Sequence, residues 1–367
     1  MVFQNTYRGF FYRQVFVTPA AINPSTCSLV GKTGVVTGSN TGLGYHASLQ
    51  LLDLGLSNII LAVRDSTRGE AAKASLLAAV RRSEKKQPAI HVWALDLTSY
   101  PSIVAFTQRL RDTPDIHVDF AILNAGVARF DFEEVNGNEL EIQTNWLGTA
   151  LLAILLRPIL QAQFNLNTRS SNGNRSSVPY TNGKSSSSSS PRPVITLVGS
   201  EVAQWAAFKE QKIAPKKGTS ILEALNDEKN FDKGDRYYTS KLLLLFFFRE
   251  FCSRLPTGND VIVNLVNPGF CYGSELHRTL EGPLGKVFGG IKRAIGRPTP
   301  VGARTLVHGA VAAGNESHGC YLTDEKIAPF ADLAETEKGV QLQSKLWDEM
   351  AVELRTTIDV GKVMKQC

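Results

Sequence analysis

The segment that most constrains the fold is a glycine-rich turn between a β-type run, Lys32–Thr37, and an amphipathic helical pattern. It reads Gly38-Ser39-Asn40-Thr41-Gly42-Leu43-Gly44. In such turns the first glycine permits the bend, the second lets backbone approach a pyrophosphate, and the third lets the helix pack on the strand. Because free N–H groups at a helix N-terminus attract phosphate, we predict a dinucleotide site here, with Asn40 and Leu43 among its contacts. A plain glycine-rich turn is the alternative.

The rest of the chain alternates short β-type runs with helical patterns, which is typical of βαβ units and a parallel sheet. Runs such as Asn58–Val63 are nearly all apolar, as expected of strands buried on both faces. We therefore predict an α/β fold: a single Rossmann-type domain with a doubly wound parallel sheet and helices on both faces. The predicted strands are Lys32–Thr37, Asn58–Val63, Ala89–Leu95, Val118–Leu123, Pro193–Val198 and Asp260–Val266. The predicted helices are 42–55, 66–86, 100–112, 137–163, 235–255, 300–314 and 332–354.

The domain organisation follows from where this alternation starts, stops and is interrupted. Residues 1–30 are predicted to be an N-terminal arm, 31–330 the cofactor-binding catalytic domain, and 331–367 a C-terminal helical extension. Within 165–192, ten of 28 residues are serine, so we expect a flexible surface insertion. A phosphorylated or docking segment is the alternative reading of that insertion. The segment 270–300 is predicted to form the substrate pocket.

The net charge of +6 first suggests an acidic partner, but its distribution argues against nucleic acid. Two acid-free segments, 1–30 and 165–192, carry the whole excess, and the remaining residues balance. The basic residues of these segments are Arg8, Arg13, Arg169, Arg175, Lys184 and Arg192. A charge-balanced body argues against a basic binding face on the folded protein, unless charges cluster there.

The chain has five cysteines, an odd number. No pair of them has CxxC spacing, and no cluster of His and Cys residues resembles a zinc site. We therefore expect free thiols, no metal site and a reducing compartment, with the cytoplasm as the expected location. No apolar run reaches the roughly 18–20 residues of a membrane span, so no transmembrane segment is predicted. An organellar transit peptide is the alternative for the acid-free N-terminus.

The end of the second strand distinguishes between the two nicotinamide dinucleotides. Arg64 follows Val63 and can bind a 2′-phosphate through two hydrogen bonds, which favours NADP. The alternative is that Arg64 faces solvent and Asp65 binds the ribose hydroxyls of NAD.

Tyr237 and Lys241 lie four residues apart at the start of a predicted helix, so both side chains can reach one ligand. A cation at about 4 Å is worth roughly 4 kcal/mol near a protein surface. We therefore expect Lys241 to lower the pKa of Tyr237 and make it a working proton donor. Ser200, at the end of a strand, is the candidate second donor to a carbonyl oxygen. Asn145 is the candidate holder of a relay water.

Together these residues resemble the short-chain dehydrogenase/reductase family over about residues 30–325, and within it the retinol-dehydrogenase-like branch and its fungal members. The resemblance implies a catalytic set of Asn145, Ser200, Tyr237 and Lys241. It also implies that Asp96 and Asn124 line the adenosine side of the cofactor, and that Lys241 and Tyr237 contact its nicotinamide end. After the motif Asn267-Pro268-Gly269, Ser274 stands in for the family's usual threonine.

The activity implied is NADP(H)-dependent interconversion of a ketone or aldehyde and an alcohol, on a small apolar substrate, in secondary metabolism. Two alternatives remain open: a non-catalytic cofactor-binding sensor or scaffold, and the same fold catalysing epimerisation or dehydration. The resemblance leaves the oligomeric state open, with a homodimer as a candidate. The lysines that follow Ser200 are interpreted either as a lid for an anionic substrate or as a solvated loop; they are Lys209, Lys212, Lys216 and Lys217.

Overall fold

The computed structural model describes residues 5–80, 87–173, 191–273, 293 and 295–366. An eight-stranded sheet forms its centre, in the order β8-β7-β6-β5-β4-β1-β2-β3. Strands β1 to β7 are parallel, and the edge strand β8 pairs antiparallel with β7. The strands are β1 Thr33–Thr37, β2 Asn58–Val63, β3 Ala89–Ala94, β4 Phe120–Leu123, β5 Val194–Val198, β6 Ile262–Asn267, β7 Tyr321–Thr323 and β8 Lys326–Ala328. The predicted α/β class is confirmed, while the short strands β7 and β8 were not predicted.

Helices cover both faces of the sheet because every central strand is apolar on both sides. Val35 and Ile60 face one buried cluster, while their neighbours Val36 and Ile59 face the other. The helices are α1 Tyr7–Phe16, α2 Gly42–Asp53, α3 Ser66–Val80, α4 Tyr100–Arg111, α5 Thr149–Gly173, α6 Glu210–Lys217, α7 Ile221–Asn226, α8 Arg236–Ser253, α9 Thr299–Val311, α10 Glu337–Leu354 and α11 Val360–Met364. Strand order reverses between β1 and β4, and a ligand crevice is expected at that edge.

The predicted helix 137–163 was wrong at both ends. Its start is a short hairpin, Glu134–Val135 paired with Asn138–Glu139, whose Asn136-Gly137 turn has positive φ at both residues. A π-helix, Ile142–Gly148, follows and leads directly into α5. Helix α5 continues to Gly173, so residues 165–173 are helical rather than the predicted loop. The remainder of the insertion, 174–190, lies outside the described residues.

Among the described residues, one helical stretch, Ile142–Thr168, is long and apolar enough to cross a membrane. However, 78% of its most apolar window is buried inside the protein, between the sheet and neighbouring helices. That is the environment of a core helix, and this stretch does not establish a membrane span.

The N-terminal arm was expected to lie outside the catalytic body, but it contains helix α1. Thr6 caps this helix by accepting the Gly9 N–H at 3.1 Å. Gln14 is 8% exposed and reaches the loop after β6. Helix α1 is therefore packed against the loop that follows β6.

The C-terminal residues are helical as expected, and they pack into the same core as the sheet. Leu346, Met350 and Met364 belong to the buried cluster that contains Val35. Arg157, fully buried in α5, donates to the carbonyl oxygens of Val363 and Met364 at 3.1 and 3.0 Å. A cation is favourable there because those carbonyls end helix α11.

We expect Arg157→Met to lower the free energy of unfolding by about 1–3 kcal/mol, because it leaves buried carbonyl groups without donors. The C-terminal helix α11 should also become sensitive to carboxypeptidase. Urea denaturation and timed digestion measure both effects. Arg355→Met, at an exposed position, is the matched control. Equal resistance of Arg157→Met and the unmodified chain would contradict this anchoring role.

Candidate active site

A cavity of about 280 Å³ opens at the carboxyl ends of β1, β4 and β5, where strand order reverses. The structure brings ten of the predicted site residues to its wall: Gly38, Asn40, Gly42, Leu43, Arg64, Asp96, Asn124, Ser200, Tyr237 and Lys241. Gly44 and Asn145 lie behind the wall and support it. Ser274 lies outside the described residues, as does most of the predicted substrate segment.

The glycine-rich turn has the geometry that its sequence requires. Gly38 and Gly42 have φ of 63° and 58°, values that disfavour residues with a Cβ atom. A Cβ atom on Gly44 would overlap the carbonyl oxygen of Gly38. Helix α2 therefore begins in direct contact with the end of β1, as the helix-packing role predicted for Gly44 requires.

The side chain of Asn124 holds this turn against the end of β4. Its Nδ2 donates to the carbonyl oxygens of Thr37 and Gly38 at 3.0 and 3.3 Å. The next residue, Ala125, donates its N–H to Thr37 Oγ1 at 2.9 Å. Asn124 thus fixes the shape of the turn from behind while it also lines the cavity.

The N-terminus of α2 fits a phosphate group. Its N-cap residue, Thr41, makes no side-chain capping bond, and the first turn contains no acidic residue. The helix N–H groups there are therefore not neutralised by the protein's own side chains, and the helix dipole favours an anion. Ser39 adds a buried hydroxyl in the same turn that has no hydrogen-bond partner among the described residues.

The far end of the cavity carries two arginines and two acids. Arg64 is exposed and lines the wall together with Arg68, which is four residues further along. The sequence analysis missed Arg68, a basic residue in the first turn of the helix that follows Arg64. Asp65 accepts the Arg68 N–H at 3.1 Å and so caps helix α3. Asp96 accepts the N–H and hydroxyl of Thr98 at 2.9 and 2.7 Å.

Ser200, Tyr237 and Lys241 meet at the opposite end. Ser200 follows β5 and interacts with the hydroxyl of Tyr237, a residue in the first turn of α8. Lys241, one turn further along α8, donates from Nζ to the carbonyl oxygen of Val198 at 3.0 Å. The Nζ atom lies 5.8 Å from the centre of the Tyr237 ring.

The expectation that Lys241 lowers the pKa of Tyr237 was wrong for this structure. Burial raises the pKa of Tyr237 well above its usual value, and the nearby Glu141 carboxylate raises it further. Burial also lowers the pKa of Lys241 to about 8, against the opposing effect of Glu141. The cost of burying Tyr237 and Lys241 outweighs the attraction expected between the two side chains.

Asn145 acts as a brace in this structure. Its Oδ1 accepts the Val127 N–H at 2.9 Å, and its Nδ2 donates to Val127 O and Ser240 Oγ at 2.8 and 2.9 Å. The Ser240 hydroxyl donates to the Tyr237 carbonyl at 2.8 Å. These bonds use both polar atoms of the Asn145 side chain, and they connect the π-helix to the backbone of Tyr237.

Glu141 is a buried acid that the sequence analysis missed. It precedes Asn145 by four residues, is fully buried, and accepts the Arg129 N–H on Oε1 at 2.5 Å. Its Oε2 has no hydrogen-bond partner among the described residues. Burial raises the pKa of Glu141 to about 8. The only available signal was its position four residues before the candidate Asn145, inside the predicted helix 137–163.

The residue before Tyr237 is also buried and charged. Arg236, 1% exposed, lies 3.1 Å from the Glu210 carboxylate and 3.8 Å from that of Glu139. Glu139 in turn accepts the N–H groups of Glu141 and Ile142, both at 3.1 Å. This ionic cluster joins α6, the π-helix and the start of α8, and it fixes where α8 begins.

Two of the four lysines after Ser200 are paired with exposed acids: Lys209 with Asp232 at 2.6 Å and Lys217 with Asp227 at 3.1 Å. None of the four lines the cavity that holds Ser200 and Tyr237. This geometry supports the solvated-surface reading over a lid for an anionic substrate.

The comparisons with known proteins agree with this geometry. The family model described as short chain dehydrogenase matches residues 32–181. The short-chain dehydrogenase fogG of Aspergillus ruber is 39% identical over 94% of this chain and 91% of its own. The short chain dehydrogenase/reductase mfmJ of Annulohypoxylon moriforme is 35% identical over 94% and 90%. The chain belongs to the short-chain dehydrogenase/reductase family. It is therefore an oxidoreductase that uses a nicotinamide cofactor.

Solved structures of lower identity share the fold of this short-chain dehydrogenase. The NADPH-dependent 3-quinuclidinone reductase of Rhodotorula rubra is 16% identical, with a TM-score of 0.54 over 84% of this chain and 96% of that one. The L-sorbose reductase of Gluconobacter frateurii, whose structure contains NADPH and L-sorbose, is 17% identical, with a TM-score of 0.54 over 81% and 95%.

We expect the variant Glu141→Gln to weaken the pH dependence of stability. The pKa of Glu141 is about 8 in the folded protein, against an ordinary value of 4.5. The protonated side chain therefore contributes fully to stability below pH 4.5, and this contribution is lost as the pH rises to 8. Glutamine resembles the protonated acid and loses nothing. Relative to the unmodified chain, Glu141→Gln should gain a few kcal/mol between pH 5 and pH 8.

The measurement is urea denaturation at both pH values. The exposed Glu134→Gln is the control, since it lies near Glu141 in sequence but in solvent. Parallel pH profiles for the unmodified chain and Glu141→Gln would show that Glu141 is not a buried acid with a raised pKa.

Proposed function

We propose that this enzyme is an NADP(H)-dependent carbonyl reductase that also runs in the reverse, alcohol-oxidising direction. The observation that carries the proposal is one cavity with a hydroxyl pair, Ser200 and Tyr237, at one end and two arginines, Arg64 and Arg68, at the other. The phosphate-compatible N-terminus of α2 lies between them. When bound there, the dinucleotide supplies the hydride.

Two donors act on the carbonyl oxygen in this proposal. Ser200 hydrogen-bonds the oxygen and stabilises the negative charge that develops on it. Tyr237 donates the proton that converts this oxygen to a hydroxyl, so the carbonyl gains one hydride and one proton. The Tyr237 hydroxyl is protonated at neutral pH, which is the state that a proton donor requires. Lys241 lies beside Tyr237 and can bind the nicotinamide ribose.

The preference for the phosphorylated cofactor rests on Arg64, Arg68 and Asp65. The two guanidinium groups can bind a 2′-phosphate, and Asp65 is engaged in capping α3 rather than in offering both its oxygens to a ribose. Asp96 and Asn124 would line the adenosine side.

The substrate proposed is a small, mainly apolar ketone or aldehyde. A role in secondary metabolism is supported by the family resemblance and by the fungal origin of relatives such as fogG and mfmJ. A reducing compartment, the cytoplasm, is supported by the absence of disulfides among Cys27, Cys252, Cys271 and Cys320, the cysteines that the structure describes.

We expect Tyr237→Phe to lower kcat by about 10²–10⁴-fold, because it removes only the proton donor. NADPH binding, followed by fluorescence titration, should remain near that of the unmodified enzyme. Tyr238→Phe is the matched control on the same helix turn. Full activity of Tyr237→Phe on a panel of ketones and aldehydes would refute the assignment.

The same panel separates the alternatives. NADPH binding without oxidation of any panel member would indicate a sensor or scaffold. Conversion of a substrate without net NADPH consumption would indicate epimerisation or dehydration.

We expect Arg64→Ala and Arg68→Ala each to raise the KM for NADPH by about 10- to 100-fold, since each removes a charge-assisted bond to phosphate. The KM for NADH should change little. Arg111→Ala, at an exposed position on α4, is the control for a general loss of positive charge. An unmodified enzyme that prefers NADH would remove the role proposed for both arginines.

A further inference from the structure

Helix α1 is held by buried ion pairs close to Ser200. Arg13 lies 2.5 Å from the carboxylate of Glu201, the residue directly after Ser200. It also lies 3.6 Å from Asp324, which lies 2.6 Å from Arg297. These four side chains are between 5% and 13% exposed. Two cations and two anions balance inside the protein, so α1 is a fixed part of the site rather than an appendage.

The same helix holds the loop after β6. Gln14 accepts the Phe270 N–H at 3.1 Å and donates to the Phe270 carbonyl at 2.9 Å. The three residues of this loop that line the cavity are Pro268, Gly269 and Cys271. Helix α1 therefore positions two loops at once, one that begins at Ser200 and one that follows β6.

Between these loops lie three aromatic side chains in contact, and Tyr7 of α1 stacks on one of them, Trp205, with 4.4 Å between the ring centroids. The Phe10 ring meets the Trp205 ring edge to face at 5.5 Å and the Phe270 ring at 6.4 Å. Each of the three residues is partly accessible. Of the chain's four tryptophans, which are all described, only Trp205 is not buried.

Ser200 and Trp205 both line a second, smaller cavity, and Ser200 also lines the cavity that holds Tyr237, so Trp205 lies close to a substrate bound at Ser200. It ends the short 3-10 helix Glu201–Trp205, which Ser200 caps. At about 2 Å of rise per residue, five residues place Trp205 about 10 Å from Ser200. That distance accommodates one or two fused rings beyond a carbonyl group.

We propose that Phe10, Trp205 and Phe270 form an aromatic wall that binds a planar, uncharged ring of the substrate while its carbonyl lies at Ser200 and Tyr237. This inference rests on the proposed reductase function and adds the class of substrate. The nearby charges of Arg13 and Glu201 are paired with each other, so the wall favours a neutral ring over an anion. Aromatic side chains bind such rings by stacking and by edge-to-face contact.

The test compares two aldehydes that share one reactive group: 2-naphthaldehyde, which has fused rings, and propanal, which has none. We expect Phe10→Ala and Trp205→Ala to lower the ratio of kcat/KM for 2-naphthaldehyde to that for propanal about tenfold. The loss should lie in KM rather than kcat. Phe16→Ala is the matched control, because Phe16 lies on the same helix but is 73% exposed.

Unchanged NADPH binding and thermal unfolding would show that the variants are folded. An unchanged ratio in Phe10→Ala and Trp205→Ala, or an equal drop in Phe16→Ala, would overturn the proposal.

A second measurement does not depend on turnover. Isothermal titration of the NADPH-saturated protein with 2-naphthylmethanol uses an alcohol that cannot react with the reduced cofactor. Binding that both variants weaken about tenfold would support the wall even if no aldehyde is reduced, in which case only the proposed reductase function fails. Absence of binding to the unmodified protein, or binding that neither variant weakens, would overturn the wall.

Discussion

The arrangement of the site depends on the contact between the first residues of α2 and the end of β1. This contact requires a residue without a side chain at Gly44, because a Cβ atom there would overlap the carbonyl oxygen of Gly38. Asn124 then bonds the carbonyl oxygens of Thr37 and Gly38, so the turn and the end of β4 form one rigid corner. The uncapped N–H groups of α2 point away from that corner, towards the cavity. Backbone geometry alone thus makes this N-terminus fit a phosphate, before any charged side chain is considered.

Burial dominates the electrostatics at the other end of the cavity. Tyr237 keeps its proton, the pKa of Lys241 falls to about 8, and the pKa of Glu141 rises to about 8. Each group is shifted towards its neutral form, as desolvation requires. A protonated tyrosine suits carbonyl reduction, where the hydroxyl must give up a proton in the reaction and not before it.

The strands, the glycine-rich turn and most of the cavity wall could be predicted because their signals are local. An apolar run such as Asn58–Val63 predicts a buried strand from six adjacent residues. Helix α1 was missed because what holds it is not local: Arg13 meets Glu201, and Gln14 meets Phe270, 256 residues away. The pKa of Tyr237 was misjudged for the same reason, since its burial depends on packing between distant elements.

The charge count shows most clearly that a local sequence signal does not reveal contacts between distant residues. Summed along the chain, the N-terminal segment holds two arginines and no acid, which suggests a basic arm with an external partner. In the folded protein, Arg13 has its acids, Glu201 and Asp324, on loops far along the chain. The positive charge of the arm is thus half cancelled inside the molecule, next to Ser200. A basic residue in an acid-free segment can therefore pair with acids on a distant loop, and here that pairing places the arm beside Ser200.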